Sequence, residues 1–147
     1  MSRERTVAVT LKIPDNEAFT ALSALVRLEV PVAKVERAVI WSFDNTIEDG
    51  FLDRVKCNEL LYNPNKHLLR EIENRPQPGE VWIEQLGEHD DMRNYLGSRS
   101  IPGISSGRRC IAWRLTNQAG EPVEASVLTD AIAKLLCNPA IERAITA

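Results

Sequence analysis

The chain has 147 residues, 44% hydrophobic and 27% charged, with a formal net charge of −3. That length holds one ordinary domain or two very small ones, and the composition excludes wholesale disorder, a collagen-like fibre and a disulfide-stapled mini-protein. The acidic balance and the 5% aromatic content argue against a nucleic-acid partner, which needs a basic excess or a stacking platform. No apolar run approaches the roughly 18 residues of a membrane span, so no membrane partner is expected. The charged opening Met1-Ser2-Arg3-Glu4-Arg5 lacks a signal peptide's apolar region, and the three cysteines form no CxxC pair. Both features point to reduced thiols and a cytoplasmic location.

In residues 6–13, Val7, Val9, Leu11 and Ile13 alternate with Thr, Ala and Lys, the period of a half-buried strand. Pro14 ends it, and Asp15 or Asn16 caps a helix over 16–28, with Ala18, Phe19, Leu22, Leu25 and Val26 at helical spacing. Pro31 stops that helix. Residues 32–43 read as β structure, either one long strand or a tight hairpin bent near Glu36-Arg37-Ala38. A second helix is predicted over 51–62, terminated by Asn63-Pro64, and 73–79 is the clearest linker. Val81, Trp82, Ile83 and Leu86 then suggest a strand, 90–96 a short helix capped by Gly97, and 98–107 a mobile loop. Residues 110–115 read as strand, 117–122 as a turn and 123–137 as a helix ending at Asn138-Pro139, with no clear strand after Glu142.

The second half repeats the first. Leu60-Leu61-Tyr62-Asn63-Pro64 matches Leu135-Leu136-Cys137-Asn138-Pro139 at an offset of 75, Trp41 matches Trp113 at 72, and Val7 matches Val81 at 74. Leu-rich helices also often end in Asn-Pro for local reasons, so helix termination alone is the competing explanation. Read as a duplication, the chain is α+β, with two ferredoxin-like β-α-β-β-α repeats over 1–79 and 80–147. Each unit is too small to hide both faces of its antiparallel sheet, so the two sheets are expected to pack as a covalent pseudo-dimer.

Three places carry a family resemblance. Val7-Ala8-Val9-Thr10-Leu11-Lys12, Cys57-Asn58-Glu59-Leu60-Leu61-Tyr62-Asn63-Pro64 and Lys134-Leu135-Leu136-Cys137-Asn138-Pro139-Ala140-Ile141-Glu142 resemble, in turn, the first strand, the second helix and the end of that helix in the PurS family. PurS is the small subunit of phosphoribosylformylglycinamidine synthase of purine biosynthesis, and Gly107-Arg108 resembles its Gly-Lys turn. The first half departs from the pattern, with Arg37-Ala38 in place of the Gly-basic pair. The resemblance implies a subunit without catalytic residues or a cofactor of its own, which bridges synthetase and glutaminase subunits and assists ammonia transfer. It also implies a dimer of these pseudo-dimers.

Among chemically suggestive residues, Asn63, Pro64, Asn138 and Pro139 form a candidate docking surface for partners, or serve only to end helices. Residues 98–109 hold three arginines, four serines and two glycines, groups suited to a phosphate or carboxylate. Arg99, Ser105, Ser106, Gly107, Arg108 and Arg109 are therefore the candidate ligand site of an alternative function, a small-molecule or anion-binding regulatory module. His89-Asp90-Asp91 offers too few ligands for a zinc site and reads as a solvated cap, and His67 reads as a surface residue. Cys110, after Arg108-Arg109, is the most plausible reactive thiol, but burial in a core suits Cys57, Cys110 and Cys137 better. Trp41 and Trp113 occupy equivalent strands and read as core.

Overall fold

A computed structural model describes residues 3–45, 50–87, 96, 101 and 104–147, the side chains of 3, 45 and 105 excepted. The helix expected at 90–96 lies outside these residues save for Leu96, which is helical; His89, Gly97 and Arg99 lie outside them too. The elements in chain order are β1 (Arg3–Leu11), α1 (Asn16–Arg27), β2 (Lys34–Asn45), α2 (Phe51–Lys56), β3 (His67–Ile72), β4 (Glu80–Gln85), β5 (Ile104–Thr116), α3 (Ala125–Ala131) and β6 (Glu142–Thr146). The protein is α+β, and among the described residues six strands are hydrogen-bonded in the order β3-β1-β2-β5-β4-β6. Among the described residues no helix is long and apolar enough to cross a membrane.

Several elements differ from the sequence reading, each for a local reason. β2 runs unbroken through Glu36-Arg37-Ala38, so there is no hairpin there. α2 stops at Lys56, because Asn58 Oδ1 accepts from the Leu60 N–H at 3.0 Å and turns the chain away from the helix. α3 passes into a π-helical turn, Ile132–Leu136, closed by the Cys137 N–H on the Ile132 carbonyl at 3.2 Å. Residues 104–107, expected in a loop, begin β5. β3 and β6 escaped notice because each lies at a sheet edge, where a short strand keeps a charged, weakly alternating sequence.

Contacts divide the chain into two compact units, each drawing on both halves of the sequence. The first comprises Met1–Ile13, Val39–Asn74 and Gly87–Arg109. Val7, Trp41, Phe43, Phe51, Val55, Leu61, Leu96, Ile101 and Ile104 form its core. Trp41 stacks on Phe43 at 5.6 Å, and Phe43 meets Phe51 edge-on at 6.0 Å. The Arg5 guanidinium lies 4.4 Å from the centre of the Phe51 ring and grips Glu71 with two hydrogen bonds of 2.7 and 2.6 Å. That grip holds the Glu71 carboxyl below its usual range. On the other face of β1 and β2, the Thr6 and Ser42 hydroxyls share a 3.1 Å hydrogen bond, and Ser42 donates to Asn74 Oδ1 at 3.1 Å.

The second unit comprises Pro14–Ala38, Arg75–Leu86 and Cys110–Ala147. Asp15 caps α1 as expected, its Oδ1 accepting from the Glu17 and Ala18 N–H groups at 3.0 and 3.3 Å. Its other oxygen takes Arg37 Nε at 3.0 Å. Ala18, Ala21 and Leu25 of α1 pack with Val81, Ile83 and Leu115 of the sheet and with Leu128, Ala131 and Leu136. Each large apolar side chain so enclosed contributes about 1.5–3 kcal/mol of burial.

Within each unit a strand triplet repeats the same register. Val7 lies opposite Trp41 and Glu71, and Val81 lies opposite Trp113 and Thr146. The Lys12 N–H donates to the Lys66 carbonyl at 2.8 Å, and the Leu86 N–H to the Ile141 carbonyl at 2.9 Å.

The turn into β4 depends on Gly79, whose φ of +77° suits glycine. A Cβ there would sit 2.7 Å from Pro122 Cβ and 3.0 Å from the Leu115 carbonyl oxygen. Gly50 has a similar φ of +74° but open space around it. Gly79→Ala should therefore cost about 1–3 kcal/mol more than Gly50→Ala, measured as a difference in urea midpoint at constant m.

Candidate functional site

The sequence-predicted anion site falls largely on the start of β5. Arg99 lies outside the described residues, as does the Ser105 side chain. Ser106 Oγ donates to Asp44 Oδ2 at 3.0 Å, and Arg108 lies 4.0 Å from Glu4 Oε1. Gly107 is buried, and Arg109 is half-buried with a partner of its own. The Ser106 hydroxyl and the Arg108 guanidinium thus face carboxylates, which would compete with an incoming anion.

Asn63-Pro64 and Asn138-Pro139 form one turn built twice. Asn63 Oδ1 accepts from the Asn65 N–H at 2.9 Å, and Asn138 Oδ1 from the Ala140 N–H at 3.1 Å. The His67 N–H donates to the Asn63 carbonyl at 2.8 Å, and the Glu142 N–H to the Asn138 carbonyl at 2.8 Å. A side chain then receives the asparagine's own N–H: His67 Nδ1 at 3.0 Å in one turn and Glu142 Oε1 at 2.9 Å in the other. The pairs thus launch the edge strands β3 and β6. His67, expected on the surface, is half-buried at the start of β3.

The cysteines separate by environment. Cys57 is exposed, contrary to its expected burial, and Cys137 is half-buried. Burial, then the charge of Glu142, pushes the Cys137 thiol up, which disfavours the nucleophilic thiolate. Cys110 is buried, and its thiol donates to Glu84 Oε2 at 3.9 Å.

Cys110 belongs to a polar ladder that sequence reading missed. Glu80 and Glu84, each only 9% exposed, flank Trp82 on one face of β4. Glu80 Oε1 accepts from Trp82 Nε1 at 2.7 Å and from the Gln77 N–H at 3.3 Å, while its Oε2 takes Arg114 at 3.3 Å. Glu84 pairs with Arg143 and the Cys110 thiol. The signal in the sequence was Glu80-x-Trp82-x-Glu84 within a strand, whose period of two places both carboxylates and the indole on one face. Among the described residues no three His, Cys, Asp or Glu side chains cluster as metal ligands.

The second unit also carries a groove of about 400 Å³, lined by Asn16, Glu17, Thr20, Ala21 and Ala24 of α1, by Trp113, and by Leu135 and Leu136 of the π-helical turn. Its lining is mostly apolar, and its volume falls within the range of small-molecule sites. Trp113, expected in the core with Trp41, is half-buried and lines this groove, whereas Trp41 is fully packed. Small residues at 21 and 24 leave the space open, a feature that a search for apolar periodicity passes over.

The ladder yields a prediction. Trp82→Phe keeps the ring but removes the indole donor from a buried carboxylate, so it should cost about 1–3 kcal/mol in urea denaturation. In Glu80→Gln the same change should cost less, because the charge that needs the donor is gone; an equal cost would discount the hydrogen bond. No protein-family model matches the chain, and no curated protein matches it in sequence.

Proposed function

We propose that this chain is a tandem PurS-like assembly subunit. In this reading, residues 1–79 and 80–147 are two ferredoxin-like repeats forming a covalent pseudo-dimer in the cytoplasm. It bridges synthetase and glutaminase subunits of phosphoribosylformylglycinamidine synthase and carries no catalytic residues of its own. The observation that supports it most is the shared register. Val7–Trp41 and Val81–Trp113 pair alike, and the Asn turns before β3 and β6 match bond for bond. The offsets of 72 to 75 residues read from the sequence reappear in strand pairing, which a chance resemblance of helix ends does not require. Exposed Leu60, Leu68 and Ile141 lie beside Asn63-Pro64 and Asn138-Pro139 and supply apolar contact for a partner.

Co-expression of the full chain with synthetase and glutaminase subunits tests this. A co-purifying complex with glutamine-dependent activity is expected, and Leu68→Asp with Ile141→Asp should weaken capture about tenfold or more without lowering Tm. Synthetase and glutaminase that assemble and work equally well without the chain would remove the proposal.

The groove favours a second reading, a regulatory module for a small molecule with an apolar body. It lies apart in sequence from residues 98–109, the anion-binding candidates. A thermal-shift screen of nucleotides, phosphates, amino acids and aromatic acids should then find a stabilising ligand. Its effect should vanish in Ala24→Trp, which fills the groove, and persist in Arg108→Ala with Arg109→Ala. A screen with no shift sinks this reading.

A further inference from the structure

The two Asn turns agree in every backbone bond described above and differ in one acceptor. In the turn 63–67, the Asn63 N–H donates to His67 Nδ1 at 3.0 Å. In the turn 138–142, the Asn138 N–H donates to Glu142 Oε1 at 2.9 Å. A carboxyl group keeps an acceptor oxygen whether or not it is protonated. An imidazole accepts only while neutral, because the imidazolium carries a proton on both nitrogens.

We infer that the turn 63–67 is a proton-sensitive latch on the edge strand β3, which loosens when His67 takes up a proton while the turn 138–142 stays closed. The bond to Asn63 requires His67 Nδ1 to be the unprotonated nitrogen, so the neutral ring carries its proton on Nε2. Protonation of Nδ1 turns this contact into two facing N–H groups. The Asn63 N–H, which is part-buried, then loses its acceptor.

The titratable groups facing this turn are Lys66 within it, Lys12 from β1 and Tyr62 just before it. The Lys12 ammonium donates to the Pro64 carbonyl at 2.6 Å, and the Tyr62 ring lies 6.5 Å from the imidazole. Lys66 opposes a further positive charge. Burial first, and the charge of Lys66 second, hold the imidazole below its ordinary range. Because the fold favours the neutral ring, the contribution of the latch is complete above the ordinary histidine value of about 6.5 and is lost as pH falls through the lower folded value. The structural consequence falls on β3, whose pairing with β1 begins at Leu11 opposite His67. This latch does not depend on the assembly role proposed above.

Nitrogen NMR of the imidazole and amide exchange on the full chain test the inference. At pH 8 the His67 ring should be neutral with Nδ1 unprotonated. Between pH 8 and pH 5, after correction for intrinsic rates, protection at Asn63 and His67 should fall about fivefold, as for a lost hydrogen bond, with no such fall at Asn138 and Glu142. His67→Glu should abolish the pH dependence, and Glu142→His should create it in the second turn. A proton on Nδ1 at pH 8, or equal protection at Asn63 at both pH values, overturns the inference. Should either variant fail to fold, the tautomer and exchange of the unaltered chain still decide.

Discussion

Burial of β1 and β4 on both faces is the constraint from which most of the structure follows. Thr6, Val7, Ala8 and Val9 are all buried, and so are Glu80 through Glu84. A strand enclosed in this way cannot alternate apolar and polar residues without cost, because each polar side chain on it must find a partner inside the protein. β1 meets the requirement with neutral groups, the hydroxyls of Thr6 and Ser42 and the amide of Asn74. β4 meets it with charge: two carboxylates, two guanidinium groups, an indole and a thiol. The first arrangement is cheap to bury, whereas the second is costly unless every member is satisfied. That cost explains why Trp82, Arg114 and Cys110 have partners fixed to within a hydrogen bond.

The strand triplets β3-β1-β2 and β6-β4-β5 share a framework but not its contents. Registers, Asn turns and the backbone bond that follows each central strand correspond. The side chains laid on them diverge where chemistry is possible. His67 stands where the other triplet has Glu142, so one turn responds to protons and its counterpart does not. Trp41 is sealed beneath Phe43, whereas Trp113 opens onto the groove beside α1.

Much of this architecture was legible in the sequence. The strand at Val7, Val9 and Leu11, the Asp15 cap and the stop before Pro31 rest on local rules, and the structure follows them, except that β1 is buried on both faces where its alternation predicts one. The edge strands β3 and β6 were not legible, since a strand paired on one side needs no strong apolar period. Nor was the split of α3 into α-helical and π-helical turns, which no residue type announces. Of the candidate site, the recurring Asn-Pro pairs were visible as motifs, but their hydrogen-bond acceptors lie four residues on and took shape only in the folded turn. The Glu80–Glu84 ladder was not legible, because charged residues are seldom enclosed.

By itself the sequence determined the α+β class, most helix starts and stops, and the internal offsets of 72 to 75 residues, because caps, prolines and apolar periods act over a few neighbours. Only the tertiary structure decided that two glutamates would be buried, that Trp41 would be sealed while Trp113 faces a groove, and that a histidine would close one turn and a glutamate the other. Those outcomes depend on which strands become neighbours and which faces are covered, and long-range pairing sets both.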